Sequence, residues 1–521
     1  MNPMTRRAVT AALAATLIIP TATAWGADNQ DQVIKNLPLY EIETFSGSGE
    51  MGSDDGDKNT TTYRGPMSVA VKADGTILVS DAGNQQIRAI AGGKSATVAG
   101  IEIGVDDFGF MIGGLLDGKA DESSFQEPAG IAVDQQGRTI VADSINNAIR
   151  MIASDGTVTT IAGDGTIGAA DGKGAAARFH SPLDVAVSAS GTIYVADTLN
   201  HAIRSIKDGV VTTLNAVAER PVEFFPGEAE LAGDYKDGKL SEALFNEPSG
   251  LALDAKGNLY VSDTGNQRIR YIDLAAGTVT TVAGSGTLGE SDMYVAGEYK
   301  DGAALEASFY APKGLAVTPD GGLLIADSKN HVVRYLKDGQ VVTVAGVPVE
   351  TVKSNGVAAY AGFNMPMDVA YLKDGSIVVA DYSNNRIRVI KPYQVPQGLE
   401  GAKVDLVYND AILATDADPV IVNGTTFVPV RVISETLGYT VEFGDDGVTT
   451  LTLGEQWYKI QEGKTAVQTS AGNALTLPQA PFIQQDRLYL PVRFFAEQIE
   501  LDVKWLSAEK AVLLRDRLTA E

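Results

Sequence analysis

Six times this chain runs through one register: a proline, an Asp 15 residues later, an Asn 3 beyond it, and an Arg 7 beyond the Asp. The prolines are Pro66, Pro128, Pro182, Pro248, Pro312 and Pro366. The Asp set is Asp81, Asp143, Asp197, Asp263, Asp327 and Asp381, and the Arg set is Arg88, Arg150, Arg204, Arg270, Arg334 and Arg388. An aromatic stands three before each proline, from Tyr63 to Phe363, and an acidic or amide residue followed by Gly stands eleven before it, from Asp55 to Asn355. A repeat of this kind constrains the fold strongly, because one unit cannot bury its own faces and must pack on its neighbours.

Within a unit, residues 130–133, 139–142, 148–152 and 158–162 are short β-branched runs split by Gln-Gly, Asn-Asn and Asp-Gly turns, which predicts a four-stranded antiparallel sheet. Six such sheets packed radially make a six-bladed β-propeller, with an open solenoid as the competing arrangement. The sixth unit runs into Pro392 without a fourth strand, and residues 40–47 carry the missing pattern ahead of the first unit. This split predicts that strand 40–47 closes the ring by completing blade six. The Asp-x-x-Asn followed by an Ile-Arg pair resembles the NHL-repeat family of propellers over residues 40–392. That resemblance implies the fold and leaves activity open, since the family holds protein-binding modules, sensor domains and a few metal-dependent lyases. The recurring Asp, Asn and Arg are expected to fasten turns and blades by hydrogen bonds. His201 and His331, each following the repeated Asn, read as turn residues.

Function is expected where the symmetry breaks. Successive prolines are 62, 54, 66, 64 and 54 residues apart, and the extra residues, at 101–116, 215–236 and 285–300, all fall on the face that carries the Asp-x-x-Asn turns. Phe108, Phe110, Phe224, Phe225, Tyr294 and Tyr299 in these insertions are candidate rim residues for gripping a ligand by stacking. Arg64, Gln126, His180, Asn246, Tyr310 and Asn364, each two before a proline, are candidates for a ring at the channel mouth. Asp184 and Asp368, two after their prolines in units three and six, would face each other across the axis. With His180 they are candidate ligands for calcium or another divalent cation, against the reading in which both carboxylates bond backbone groups. No nucleophilic triad, phosphate loop or His-Glu-x-x-His pattern accompanies them, so no catalytic residue is assigned.

Residues 393–402 read as a linker, after which a second repeat begins. Residues 419–431 (PVIVNGTTFVPVR) recur as 481–493 (PFIQQDRLYLPVR), each followed by a short helical stretch and a strand. Two such halves make one α+β domain over 403–516. It resembles the copper amine oxidase N-terminal-like (stalk) domain, with its Asn-Gly hairpin, Val-Pro-x-Arg segment and Glu-x-Leu-Gly helix end. The second half departs, with Gln485-Asp486 for Asn-Gly. Copper is not expected, since residues 402–521 hold no His and no Cys. The family resemblance implies an accessory, surface-associated module.

Residues 1–27 pair Arg6 and Arg7 with an apolar stretch too short to span a bilayer and an Ala22-Thr23-Ala24 cleavage pattern, so they read as a secretory signal peptide. The mature protein is expected to be secreted, with non-covalent wall association and no transmembrane segment. A net charge of −25 argues against nucleic acid as partner, and the absence of cysteine excludes disulfides and thiolate catalysis. The fold expected is mainly β, a six-bladed NHL-type β-propeller with a C-terminal α+β domain of two similar halves. The function expected is an exported, non-catalytic binding or scaffold protein. It would recognise a protein, peptide or glycan through the insertion face without a cofactor. The alternative left open is a divalent-metal-dependent lyase or lactonase with its cation in the channel.

Overall fold

The computed structural model describes residues 37–521 apart from Glu219, Pro226, Glu400, Asp445, Asn473, Ala520 and Glu521. The expected signal segment, Met1 to Ala27, lies outside the described residues. Each repeat folds into one antiparallel sheet, as in Pro128–Val133, Thr139–Asp143, Ala148–Ile152 and Val158–Ala162. The second strands Ile77–Asp81, Thr139–Asp143, Leu323–Asp327 and Ile377–Asp381 are buried along their whole length, because neighbouring sheets cover both faces. Their Ile, Val and Ala runs therefore lack the alternation of a strand with one wet face.

The chain is mainly β, and six sheets stand around one axis. The proline-led strands line the centre, each touching the next, and Pro366–Tyr371 returns to Pro66–Val71. Six apolar clusters fill the gaps between sheets. Phe125, Ile131 and Val141 pack on Leu78 and Ile87, and the last cluster joins Tyr63, Val69 and Val79 to Val378, Ala380 and Ile387. Contact between the first and last repeats excludes an open solenoid.

Tyr40–Ser46 lies antiparallel beside Arg386–Pro392, with Ile42 opposite Ile390, and supplies the fourth strand of the sixth sheet. Four-stranded units were expected, yet in several sheets a short fifth strand forms at the Asp-Gly step. Gly172–Lys173, for example, pairs with Val210–Thr213. The cause is the Asp itself: Asp171 Oδ2 accepts the Thr213 N–H at 3.1 Å and draws the incoming chain onto the sheet edge.

In the C-terminal domain the two halves meet where Thr425–Pro429 pairs antiparallel with Arg487–Pro491, each strand leading into a short helix, Val430–Thr436 or Arg493–Gln498. A five-stranded sheet from Thr440–Phe443 to Ala474–Thr476 completes it, over a core holding Val428, Ile433, Leu451, Leu490 and Phe495. The first hairpin turns at Asn423 and Gly424, at φ 49° and 75°, a type I′ geometry. Gln485 and Asp486 adopt similar φ values of 50° and 57°, so the second half keeps the turn without its usual residues.

The domain is stitched to the sixth sheet. Leu518–Thr519 pairs with Asn355–Val357, which in turn pairs with Tyr40–Ser46. Arg515 bonds Asp502 at 2.7 Å and Glu41 at 3.3 Å, and Leu39, Tyr393 and Val395 pack on Val407 and Leu513. Residues 393–399, expected as a plain linker, thus contribute to an apolar seam.

Candidate functional site

The repeated polar residues share one construction. Arg150 is fully buried. It bonds Asp143 at 2.6 Å and Asp117 at 2.8 Å, while its guanidinium lies 5.1 Å from the centre of the Phe125 ring. Asn146 donates to the other side of the same Asp143 oxygen at 2.9 Å, and Asp143 Oδ1 accepts the backbone N–H of Gln126 at 2.7 Å. The same set recurs in all the sheets, with Asn355 replacing the outer Asp in the sixth. Burial pushes the Asp143 carboxyl up to about 6 against the pull of Arg150 and its hydrogen bonds. The Arg Nη groups, the Asn amide and both Asp oxygens of the motif are thereby spent on holding the Asp-x-x-Asn turn, so these residues are structural.

A second belt joins sheet to sheet. The residue after each repeated Asn sits at positive φ and accepts a backbone N–H from the residue ahead of the next sheet's proline. Gln85 accepts from Glu127 at 2.6 Å, Asn147 from Ser181 at 2.9 Å, and Gln267 from Ala311 at 2.6 Å. Asn385 accepts from Gly65 at 3.0 Å, which closes the belt from the sixth sheet to the first. His201 and His331 do the same through Nδ1, from Glu247 and Met365, each at 3.1 Å.

Residues one and two after the prolines line the central channel, among them Met67, Leu183, Ser249, Lys313, Met367 and both Asp184 and Asp368, around a cavity of about 20 Å³. Asp184 Oδ2 accepts the Leu251 N–H at 2.7 Å and its Oδ1 accepts the Val185 N–H at 2.8 Å. Asp368 Oδ2 accepts from Ser68 Oγ at 2.7 Å and Val69 N–H at 3.0 Å, and its Oδ1 from Val369 N–H at 2.8 Å. Glycine makes room for each: a Cβ on Gly130 would stand 2.2 Å from Asp184 Oδ1, and one on Gly314 would stand 2.0 Å from Asp368 Oδ1. Burial pushes Asp368 up to about 6, and burial together with Asp368 raises Asp184 well above the usual carboxylate range.

The insertions stand on the face of the Asp-x-x-Asn turns. The first is a hairpin, Gly104–Val105 against Met111–Ile112, whose tip is fixed by Asp106 Oδ1 accepting the Phe108 and Phe110 N–H groups at 2.9 and 2.8 Å. Phe108 and Phe110 are 85% and 62% exposed. The second, Arg220–Phe225 with Glu228–Ala232, presents Phe225 at 58% exposure and leans on the third, Arg220 donating to the Asp292 carbonyl at 2.7 Å. Phe224 lies in the same strand, but its side chain is outside the described residues. Tyr294 is exposed and donates to Glu247 at 2.7 Å.

A model of the NHL repeat matches residues 179–204, 245–270, 309–343 and 363–390, which are the third to sixth sheets, and a model of the copper amine oxidase N-terminal domain matches residues 407–514. This chain carries NHL repeats followed by a copper amine oxidase N-terminal domain. NHL repeat-containing protein 2 of Bos taurus is 28% identical over 339 residues, covering 59% of this chain and 44% of its own length. Teneurin-3 of Mus musculus is 28% identical over 470 residues, covering 75% of this chain and 16% of its own. The chain thus spans less than half of either relative. Among solved structures, an auxiliary nutrient binding protein from Bacteroides thetaiotaomicron gives a TM-score of 0.49 at 14% identity, covering 68% of this chain and 77% of its own. A streptogramin B lyase gives 0.40 at 12% identity, covering 68% and 98%.

Within the NHL propeller several expected site residues take other places. Arg64, Gln126, His180, Asn246, Tyr310 and Asn364 each donate a backbone N–H to the repeated Asp of their own blade, two residues ahead of the prolines that lead the central strands. Asn246 is fully buried and bonds the Met293 carbonyl of the third insertion, while Arg64 lies over Gly83. Among the described residues no three His, Asp or Glu side chains converge as metal ligands, so His180 does not join Asp184 and Asp368. Burial, with no carboxylate partner, pushes the His180 imidazole down. Tyr299 is not a free rim aromatic: its ring lies on Arg334 at 4.8 Å and its hydroxyl contacts Thr343 at 2.8 Å and Asp301 at 3.2 Å. The reading missed Lys313, the channel's only cation among these lining residues. Its one signal was a charge in a position otherwise held by Met67, Ala129, Leu183, Ser249 and Met367.

Proposed function

We propose that this chain is an exported, non-catalytic binding protein that recognises a protein, peptide or glycan through the insertion-bearing face of its propeller. The observation that carries this reading is the first insertion, which raises Phe108 and Phe110 into solvent on a hairpin whose tip is fixed by Asp106. Rigid aromatic side chains held in water have no packing role, and they bury large area at low entropic cost on binding. The repeated polar residues support the same conclusion, since the ion pairs and hydrogen bonds of the buried Arg and Asp are made inside the blades. The channel carboxylates also face away from the lyase or lactonase alternative, because both oxygens of Asp184 and of Asp368 already accept hydrogen bonds. The C-terminal domain acts as an accessory unit contacting the cell envelope, and its seam with blade six fixes the binding face relative to it.

Co-sedimentation of the mature protein with isolated cell envelope tests this. The F108S/F110S double variant should keep the wild-type melting temperature and lose at least about tenfold in retention, since hot-spot aromatics are worth roughly 2 kcal/mol or more. Protease treatment of the envelope separates a protein target from a glycan. Equal retention of variant and wild type would refute the assignment of this face.

A further inference from the structure

We propose that the insertion-bearing face binds a basic protein segment, one that presents Lys or Arg side chains among apolar ones. The proposal rests on the binding-protein reading and names the chemistry of the partner. Residues 101–116, 215–236 and 285–300 hold 11 acidic side chains against three basic ones, a net charge of −8 in a chain whose whole charge is −25. The three cations are already engaged. Lys236 pairs with Glu242 at 3.6 Å and Lys300 with Glu306 at 3.8 Å, while Arg220 donates to the Gly233 and Asp292 carbonyls at 3.0 and 2.7 Å.

Among the described residues no carboxylate of the insertions lies within ion-pair distance of a cation. Unpaired like charges on neighbouring loops repel one another, so they do not serve the fold. Nor does the repeat demand them. At the other end of the blades, the turns joining first and second strands hold four basic side chains against five acidic ones. The insertion carboxylates also stand beside exposed apolar groups. Asp106 and Asp107 lead into Phe108 and Phe110 at the tip of the first hairpin, and in the second Glu230 adjoins Leu231, which is 64% exposed. A ring next to a carboxylate takes an ammonium or guanidinium group by cation–π contact and Coulomb attraction together, and the remaining apolar surface buries the side chains between those cations. A neutral glycan gains nothing from this charge, and an anionic one is repelled by it.

Retention of the full mature chain on an immobilised random copolymer of Lys and Phe reads the chemistry directly. D107N/E228Q/E230Q/E290Q removes four insertion charges from side chains that accept no hydrogen bond among the described residues, and D155N/D208N/D338N/D374N removes four from turns at the opposite end of the blades. The first variant should bind at least about fivefold more weakly and the second within about twofold of wild type, with all three melting alike. Wild-type binding should also fall as salt is added, and a copolymer of Glu and Phe should retain nothing. Equal loss in the two variants would mean attraction by the overall charge and would overturn the proposal. So would unchanged binding by the first variant, stronger retention on immobilised chitin oligomers, or no binding to the Lys and Phe copolymer. If envelope retention still falls in F108S/F110S, any of these outcomes strikes the partner's charge and leaves the assignment of the face standing.

Discussion

At the scale of single residues, the fold depends on buried charges that are fully matched. Arg204 bonds Asp197 at 2.6 Å with neither side chain exposed, and it also reaches Asp171 at 2.7 Å. Removing one partner strands the other in a medium that cannot solvate it. We expect Arg204→Met to cost about 3–5 kcal/mol in denaturant unfolding, more than the loss of packing alone would explain. His201 and His331 give a different test. Each accepts a backbone N–H through Nδ1 and so must be neutral, and burial lowers both imidazoles from their ordinary value. The native state then binds fewer protons than the unfolded chain, so this stabilisation is complete above about pH 6.5 and declines as pH falls below it. Gln85, Asn147, Gln267 and Asn385 do the same work with uncharged acceptors. A H201Q/H331Q variant should therefore lose less stability than wild type between pH 7 and pH 5 in thermal melts.

At the scale of elements, the strand Tyr40–Ser46 differs from every other fourth strand because about 340 residues separate it from the sheet it joins. Its register rests on Ile42, fully buried against Ala326, Val379 and Ile390. We expect Ile42→Ala to cost about 2–5 kcal/mol. Hydrogen exchange should then speed up first at Tyr40–Ser46 and Arg386–Pro392. Exchange that rises uniformly around the ring would show that closure is no weaker than any other seam. The fifth strands are secondary to this, since they are short and drawn in by an Asp that the Arg has already fixed.

At the scale of the molecule, the blades were legible in the sequence because Asp, Asn, Arg and an aromatic must keep fixed spacings to reach one another. Asp143 and Arg150 meet only if the hairpin between them has one length. The candidate site was less legible. Rim residues such as Phe108 could be placed on a face from insertion lengths, but whether an aromatic stacks on solvent or on a guanidinium, as Tyr299 does on Arg334, depends on contacts between distant segments. Asn246 was likewise hidden beneath an insertion whose path no local pattern records. Lys313 stood out only as an exception to its column of neutral residues, and an exception has no spacing to confirm it.

Blade six brings together segments from the beginning, middle and end of the described chain: Tyr40–Ser46, Asn355–Val357 and Leu518–Thr519 lie side by side in one sheet. Synthesis delivers these segments in order, so Tyr40–Ser46 must wait until Arg386–Pro392 has been made before it can pair. Until then five blades stand with two open edges, the state in which a β-rich chain is most prone to sticking to its neighbours. Removal of Leu518–Thr519 would leave blade six without its outer strand, so the finish of the ring depends on a segment made after all six blades.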